Sequence, residues 1–141
     1  MTLHILVTGG SRGIGAAIVD ELSDDNVLVH ATSSAHGDLS EPTVPSEIWH
    51  SALQEMGGRI DVLINNAGVF EANPIDLSDI EWLDGWERTM AINLTASAQL
   101  CRLAILHWQA LGQEGRIINV ASRAAYRGDS PAHWHYAASK G

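Results

Sequence analysis

Leu3-His4-Ile5-Leu6-Val7-Thr8-Gly9-Gly10-Ser11-Arg12-Gly13-Ile14-Gly15 opens the chain and decides how the rest is read. The run Leu3–Thr8 predicts a short buried strand that stops at glycines. From Gly13 to about Leu22, the apolar residues Ile14, Ile18, Val19 and Leu22 recur at helical spacing. A strand therefore passes through a glycine-rich turn directly into a helix. Gly9 suits a tight turn at positive φ, Gly13 a close backbone approach to a pyrophosphate, and Gly15 close packing of helix on strand. The helix start offers free N–H groups and a positive dipole end to an anion. The alternative is a glycine turn that binds nothing.

Outward from this turn, strands and helices alternate. Residues 26–32 read as a second strand, centred on Val27-Leu28-Val29. Residues 33–46 are rich in Ser, Gly and Pro and read as a loop, with a possible strand stub at 36–39. A short helix is expected at 47–56, stopped by Gly57-Gly58. Residues 60–65 give a further strand and 71–80 a loop containing Pro74. A long helix is predicted over 83–111, with Met90, Leu94, Cys101, Ala104, Ile105 and Trp108 as its apolar positions. A last strand follows at 116–121, and a helix starts near 133–136. This alternation predicts an α/β fold: a Rossmann-like, doubly wound parallel sheet with helices on both faces and a ligand at the strands' C-terminal ends. No linker, repeat or low-complexity run divides the chain, so residues 1–141 are expected to form one domain.

Composition narrows the function. Hydrophobic residues make up 45%, enough for a real core. The formal net charge of −9 repels phosphate backbones, so nucleic acid is not an expected partner. No run approaches the roughly 18 unbroken apolar residues of a membrane span. The N-terminus lacks a basic segment, a long apolar segment and a small-residue cleavage site. The single cysteine, Cys101, excludes an internal disulfide and fits a reducing compartment. A cytoplasmic protein is the expectation.

The order Thr8-Gly9-x-x-x-Gly13-x-Gly15, then Asn65-Asn66-Ala67-Gly68, then Asn93, Ser122 and Tyr136-x-x-x-Lys140 resembles the short-chain dehydrogenase/reductase family, over nearly the whole chain. The resemblance implies hydride transfer between NADP(H) or NAD(H) and a small carbonyl or alcohol substrate. It implies that Thr8, Gly9, Ser11, Arg12, Gly13, Ile14 and Gly15 hold the cofactor, with Asn65, Asn66, Ala67 and Gly68 bordering it. Asp38-Leu39 resembles the family's acidic-aliphatic pair beside the adenine ring, although a polar-loop Asp is commonly just solvated.

Tyr136 and Lys140 lie one helical turn apart on one face. By spacing alone such a pair is mostly coincidence. In the family, the tyrosine exchanges a proton with the substrate oxygen. The lysine lowers the tyrosine pKa and holds the nicotinamide ribose. Ser122 aligns with the serine that hydrogen-bonds the substrate oxygen, or else it caps the next turn. Asn93 aligns with an asparagine supporting a water that leads to the lysine.

A carboxylate at the end of the second strand would select NAD. Here His30-Ala31-Thr32-Ser33-Ser34 carries none before Asp38. Arg12 and Ser33 could instead receive a 2′-phosphate, so NADP is preferred, with Asp38 as the competing ribose acid. His133 and His135 fall short of a zinc ligand set, so no metal is expected. Trp82, Trp86 and Trp108 read as packing residues. The family's sheet continues past the Tyr-Lys helix with strands that close over the substrate. The resemblance thus implies that the fold is truncated after this helix begins. It further implies a homo-oligomer (dimer or tetramer) for the full-length form, and no steady turnover by residues 1–141 alone.

Overall fold

Alternation along the first strand divides the core in two, because successive strand side chains point to opposite faces. The computed structural model describes residues 1–141. Its first strand, β1, spans Leu3–Val7, and its third, β3, spans Val62–Asn65. Ile5 and Val7 join Val62 and Ile64 on one face, against Ile18, Val19 and Leu22 of helix α1 (Gly13–Glu21) and its C-cap. Leu6 and Leu63 occupy the other face. There they meet Trp49 and Ala52 of α2 (Val44–Glu55) and Leu100, Ala104 and Trp108 of α4 (Ala96–Leu111). A sheet covered on both faces needs near-continuous apolar strands, and β1 and β3 supply them.

With β2 (Val27–Ala31) and β4 (Arg116–Asn119), the sheet runs β2-β1-β3-β4, all parallel. In the shared register, Leu6 pairs with His30 on one side and Leu63 on the other. From β1 the chain winds through α1 to β2. It then crosses β1 again through α2 to reach β3. The winding direction reverses between β1 and β3, and such a reversal opens a crevice at the strands' C-terminal ends.

Several boundaries differ from expectation. Residues 36–39 form no strand. Ser34–His36 is a single 3-10 turn, in which His36 Nδ1 accepts the Ser33 N–H at 3.0 Å. Gly37 at φ +134° then turns the chain away, so β2 remains a sheet edge. The second helix starts at Val44 rather than 47, because Pro45 fits a first helical turn. The long helix starts at Asp79 rather than 83. There Ser78 Oγ accepts the Glu81 N–H, and the Glu81 carboxylate accepts the Ser78 N–H, each at 3.3 Å. An unforeseen short helix, α5, spans Ala124–Arg127, and α6 spans Trp134–Lys140.

The long helix is α3 (Asp79–Met90), a π-turn (Ala91–Thr95) and α4, ending at Gly112 with φ +60°. Its buried line is Ile92, Ala96, Leu100, Ala104 and Trp108, spaced by four. Leu94 and Ile105, two of its apolar positions, are each 45% exposed. The apolar stripe is wider than the sheet it covers, so only one side of it is buried. By length and composition the continuous helix Asp79–Leu111 could cross a membrane, yet here it packs on β3 and α2. The indole N–H of Trp108 donates to the Ile60 carbonyl at 2.7 Å, and Gly115 lies against that indole where no Cβ would fit.

Candidate functional site

Two strand ends are stitched together before any ligand need be considered. Thr8 is buried at the end of β1, and its hydroxyl accepts the N–H groups of Asn66 (3.1 Å) and Ala67 (3.0 Å). Asn66 returns the contact, its amide donating to the carbonyls of Thr8 (3.1 Å) and Gly9 (3.0 Å). Gly9 sits at φ +64°, where an added Cβ would lie 2.9 Å from Ala67 Cα. At Gly15 a Cβ would run into the Gly9 carbonyl and the Asn66 amide. The partner of Gly15 is therefore the glycine turn itself, not the strand the sequence suggested. Gly13, at φ +56°, has nothing within 4 Å of a Cβ position. Its backbone is open to the crevice.

The crevice is a cleft of about 730 Å³. Gly9, Ser11, Arg12, Gly13 and Ile14 line one side, and Thr32, Ser33, Ser34, Gly37, Asp38 and Leu39 a second. Asn66, Ala67, Gly68, Val69, Arg88 and Ile92 complete it. Of the residues expected there, Thr8, Gly15, Asn65, Tyr136 and Lys140 are absent from the lining. Thr8 and Gly15 act through the stitched turn. Asn65 turns into the sheet, donating to Asn119 Oδ1 at 2.9 Å and towards Cys101 Sγ at 3.3 Å. Burial pushes the Cys101 thiol up, which suits a packing residue.

Asp38 is engaged by its own protein. Its carboxylate accepts from the Ser40 N–H (2.9 Å) and hydroxyl (2.8 Å) and pairs with Arg88 at 3.2 Å. Ser40 first, and Arg88 after it, hold this carboxyl below the usual range. Arg88 also pairs with Glu71 at 3.1 Å. Burial opposes its charge, but the two carboxylates outweigh burial and raise its pKa.

A second group of side chains meets around Gly68. Asn93, buried in the π-turn, accepts the Val69 N–H (2.8 Å) and donates to the Val69 carbonyl (3.0 Å) and the Ser139 hydroxyl (3.0 Å). One amide thus fixes both the segment after β3 and helix α6. π-turns within helices are frequent at functional sites. A Cβ on Gly68 would lie 3.3 Å from Asn93 Oδ1 and 3.7 Å from Lys140 Nζ. Lys140 Nζ donates to the Val120 carbonyl at 3.2 Å, and burial lowers its pKa. The Tyr136 ring meets Phe70 edge-on at 4.8 Å, and Phe70 stacks on His133 at 3.9 Å.

The Ser122 oxygen accepts the Ala124 N–H at 3.2 Å in the turn that leads into α5, and its hydroxyl proton makes no bond within the protein. That proton can still be donated to a ligand oxygen.

Sequence reasoning missed Phe70, Asn73, Arg88, His135 and Ser139. Asn73 is buried, receives nothing from its sequence neighbours and ties the loop after Val69 to two distant segments. Its only sequence signal was an amide before Pro74. His135 is almost fully buried, and burial first, then His133, lowers its pKa. No cluster of three His, Cys, Asp or Glu side chains is present.

Comparison with known proteins bears on this arrangement. A family model described as short chain dehydrogenase matches residues 30–141. The short chain dehydrogenase adrF of Penicillium roqueforti is 34% identical over 143 residues, covering 89% of this chain and 54% of that protein. A short-chain dehydrogenase/reductase structure from Serratia marcescens superposes with TM-score 0.78 at 30% identity, covering 98% of this chain and 66% of that one. A 4-hydroxyisoleucine dehydrogenase solved with NADH superposes with TM-score 0.77 at 25% identity, covering 99% and 63%. The chain spans 54% and 58% of the lengths of two curated relatives, somewhat over half.

Proposed function

Because the chain belongs to the short-chain dehydrogenase family, we propose that it transfers a hydride between NADP(H) and a small carbonyl or alcohol substrate. The observation that carries this reading is the meeting of Gly68, Asn93, Ser139 and Lys140 one helical turn from Tyr136. A buried lysine one helical turn from a tyrosine has a use in proton transfer and none in a plain binding module.

The residues present fit a nicotinamide dinucleotide. The first turn of α1 has no side-chain cap, so its N–H groups can receive a pyrophosphate. Gly13 leaves room for close approach. Arg12, Ser33 and Ser34 share the cleft and would hold a 2′-phosphate. NADP is favoured over NAD because Asp38, the one acid lining the cleft, is already bound by Ser40 and Arg88. When bound, the cofactor supplies or accepts the hydride.

The chain's own residues do the rest. Ser122 donates to the substrate oxygen and holds the carbonyl in reach. Tyr136 passes a proton to that oxygen in reduction and takes it back in oxidation. Lys140 holds the ribose hydroxyls beside it. Asn93 keeps Val69 and α6 in register around them. A homo-oligomer and a cytoplasmic location complete the reading. The single thiol, half-buried at Cys101, suits a reducing compartment.

The test uses the complete protein with NADPH labelled at the transferring position and a panel of ketones. Label should appear on the alcohol carbon. Tyr136→Phe should lower turnover by roughly 10²–10⁴-fold while NADPH affinity stays nearly unchanged. Near-normal turnover by the phenylalanine variant would sink the mechanism.

A further inference from the structure

Phe70 is the first side chain after the stretch that lines the cofactor cleft, and more than half of it is exposed, at 57%. An aromatic ring left in solvent costs free energy unless something covers it. Its surroundings are not loose. One face of the ring stacks on His133, 3.9 Å between centroids and 6° from parallel. Its edge meets the Tyr136 phenol ring at 4.8 Å and 82°. His133 is itself held by Ser130, whose hydroxyl lies 2.7 Å from Nδ1.

The loop carrying Phe70 is pinned on both sides. Asn93 takes both the N–H and the carbonyl of Val69. Arg88 holds Glu71 at 3.1 Å. Asn73 donates its N–H to the Ala132 carbonyl at 2.7 Å and its amide to the Trp82 carbonyl at 3.0 Å. Three anchors within five residues make a preorganised surface, and preorganised apolar surface beside a reacting group is what binding sites are made of.

We propose that Phe70, backed by His133, is the specificity-determining wall of the substrate site. It selects neutral carbonyl compounds whose reacting carbon belongs to an apolar ring. The proposal rests on the hydride-transfer reading, because it takes Tyr136 as the proton donor. A flat aromatic face contacts a ring over more area than it contacts a short chain, and it excludes water from the phenol. Glu71 and Asp129 flank the Phe70–His133 pair, and the net charge is −9, so carboxylate substrates are disfavoured.

The experiment compares 2-tetralone, a bicyclic ketone, with 2-butanone in wild type, Phe70→Ala and Phe70→Tyr. The complete protein is assayed with NADPH, and binding of 2-tetralone is followed separately by ligand NMR line broadening. Phe70→Ala should raise KM for 2-tetralone roughly tenfold and that for 2-butanone by a clearly smaller factor, with Phe70→Tyr close to wild type. An equal loss on both ketones, or no loss on either, overturns the wall. Should neither ketone be reduced, the hydride-transfer reading fails on its own. In that case 2-tetralone binding that is lost in Phe70→Ala still upholds the wall, and absence of binding overturns it.

Discussion

The cleft and the side-chain cluster beside it are built from different material. In the cleft, main chain contributes at Gly9, Gly13 and the uncapped first turn of α1, among side chains such as Arg12 and Ser33. Thr8 and Asn66 stitch backbone to backbone beneath it. In the cluster around Gly68, side chains are the surface. Asn93, Ser139, Lys140, Tyr136 and Phe70 arrive from three separate segments and touch one another. The difference predicts how each fails. A backbone site fails sterically, because an added atom has nowhere to go. A side-chain site fails chemically, while the fold survives.

Gly15→Ala probes the first half of that contrast and should have the largest effect on the fold. The new methyl meets the Gly9 carbonyl and the Asn66 amide, so the stitched turn must open. Overpacking of this kind costs about 1–3 kcal/mol. Thermal unfolding should register that loss, and NADPH titration should show affinity falling roughly tenfold or more. Unchanged stability and affinity would mean that the turn accommodates a side chain at this position, and the steric argument would fail.

Lys140→Met probes the second half, with a smaller effect of opposite sign on stability. Burial lowers the folded pKa of Lys140 below that of an unfolded lysine. Between the two values the unfolded chain binds more protons, so stability rises with pH across that window. Where the lysine is charged in both states, its burial opposes folding. The methionine variant should therefore be at least as stable as wild type there, and its advantage should shrink as pH climbs through the lysine range. Urea unfolding at about pH 7 and about pH 10 checks this. Turnover should be lost at both. A variant much less stable at neutral pH would make the Val120 contact structural rather than catalytic.

The same contrast explains what the sequence disclosed. The strand–glycine–helix passage is local, so its backbone consequences at Gly9 and Gly13 could be read from neighbouring residues. The set proposed to be catalytic is scattered from Asn93 to Lys140. Only its order along the chain, matched to a family, gave it away. Phe70 and Asn73 had no such signal, because what matters at each is a partner more than sixty residues away in one case and nearly sixty in the other. The strand stub at 36–39 failed for a local reason: His36 folds back on Ser33. The exposure of Leu94 and Ile105 could not be read from the sequence, because an apolar stripe tells which residues can be buried, not how wide the covering sheet is.

In the proposed function the cleft receives NADP(H) through Arg12 and Ser33, while Asp38 is held by Ser40 and Arg88. Parallel fluorescence titration of NADPH and NADH into wild type and Arg12→Ala tests it most directly. NADPH should bind roughly tenfold tighter to wild type, and the preference should vanish in Arg12→Ala. Tighter binding of NADH, weakened by Asp38→Ala, would contradict the account and make Asp38 the ribose acid.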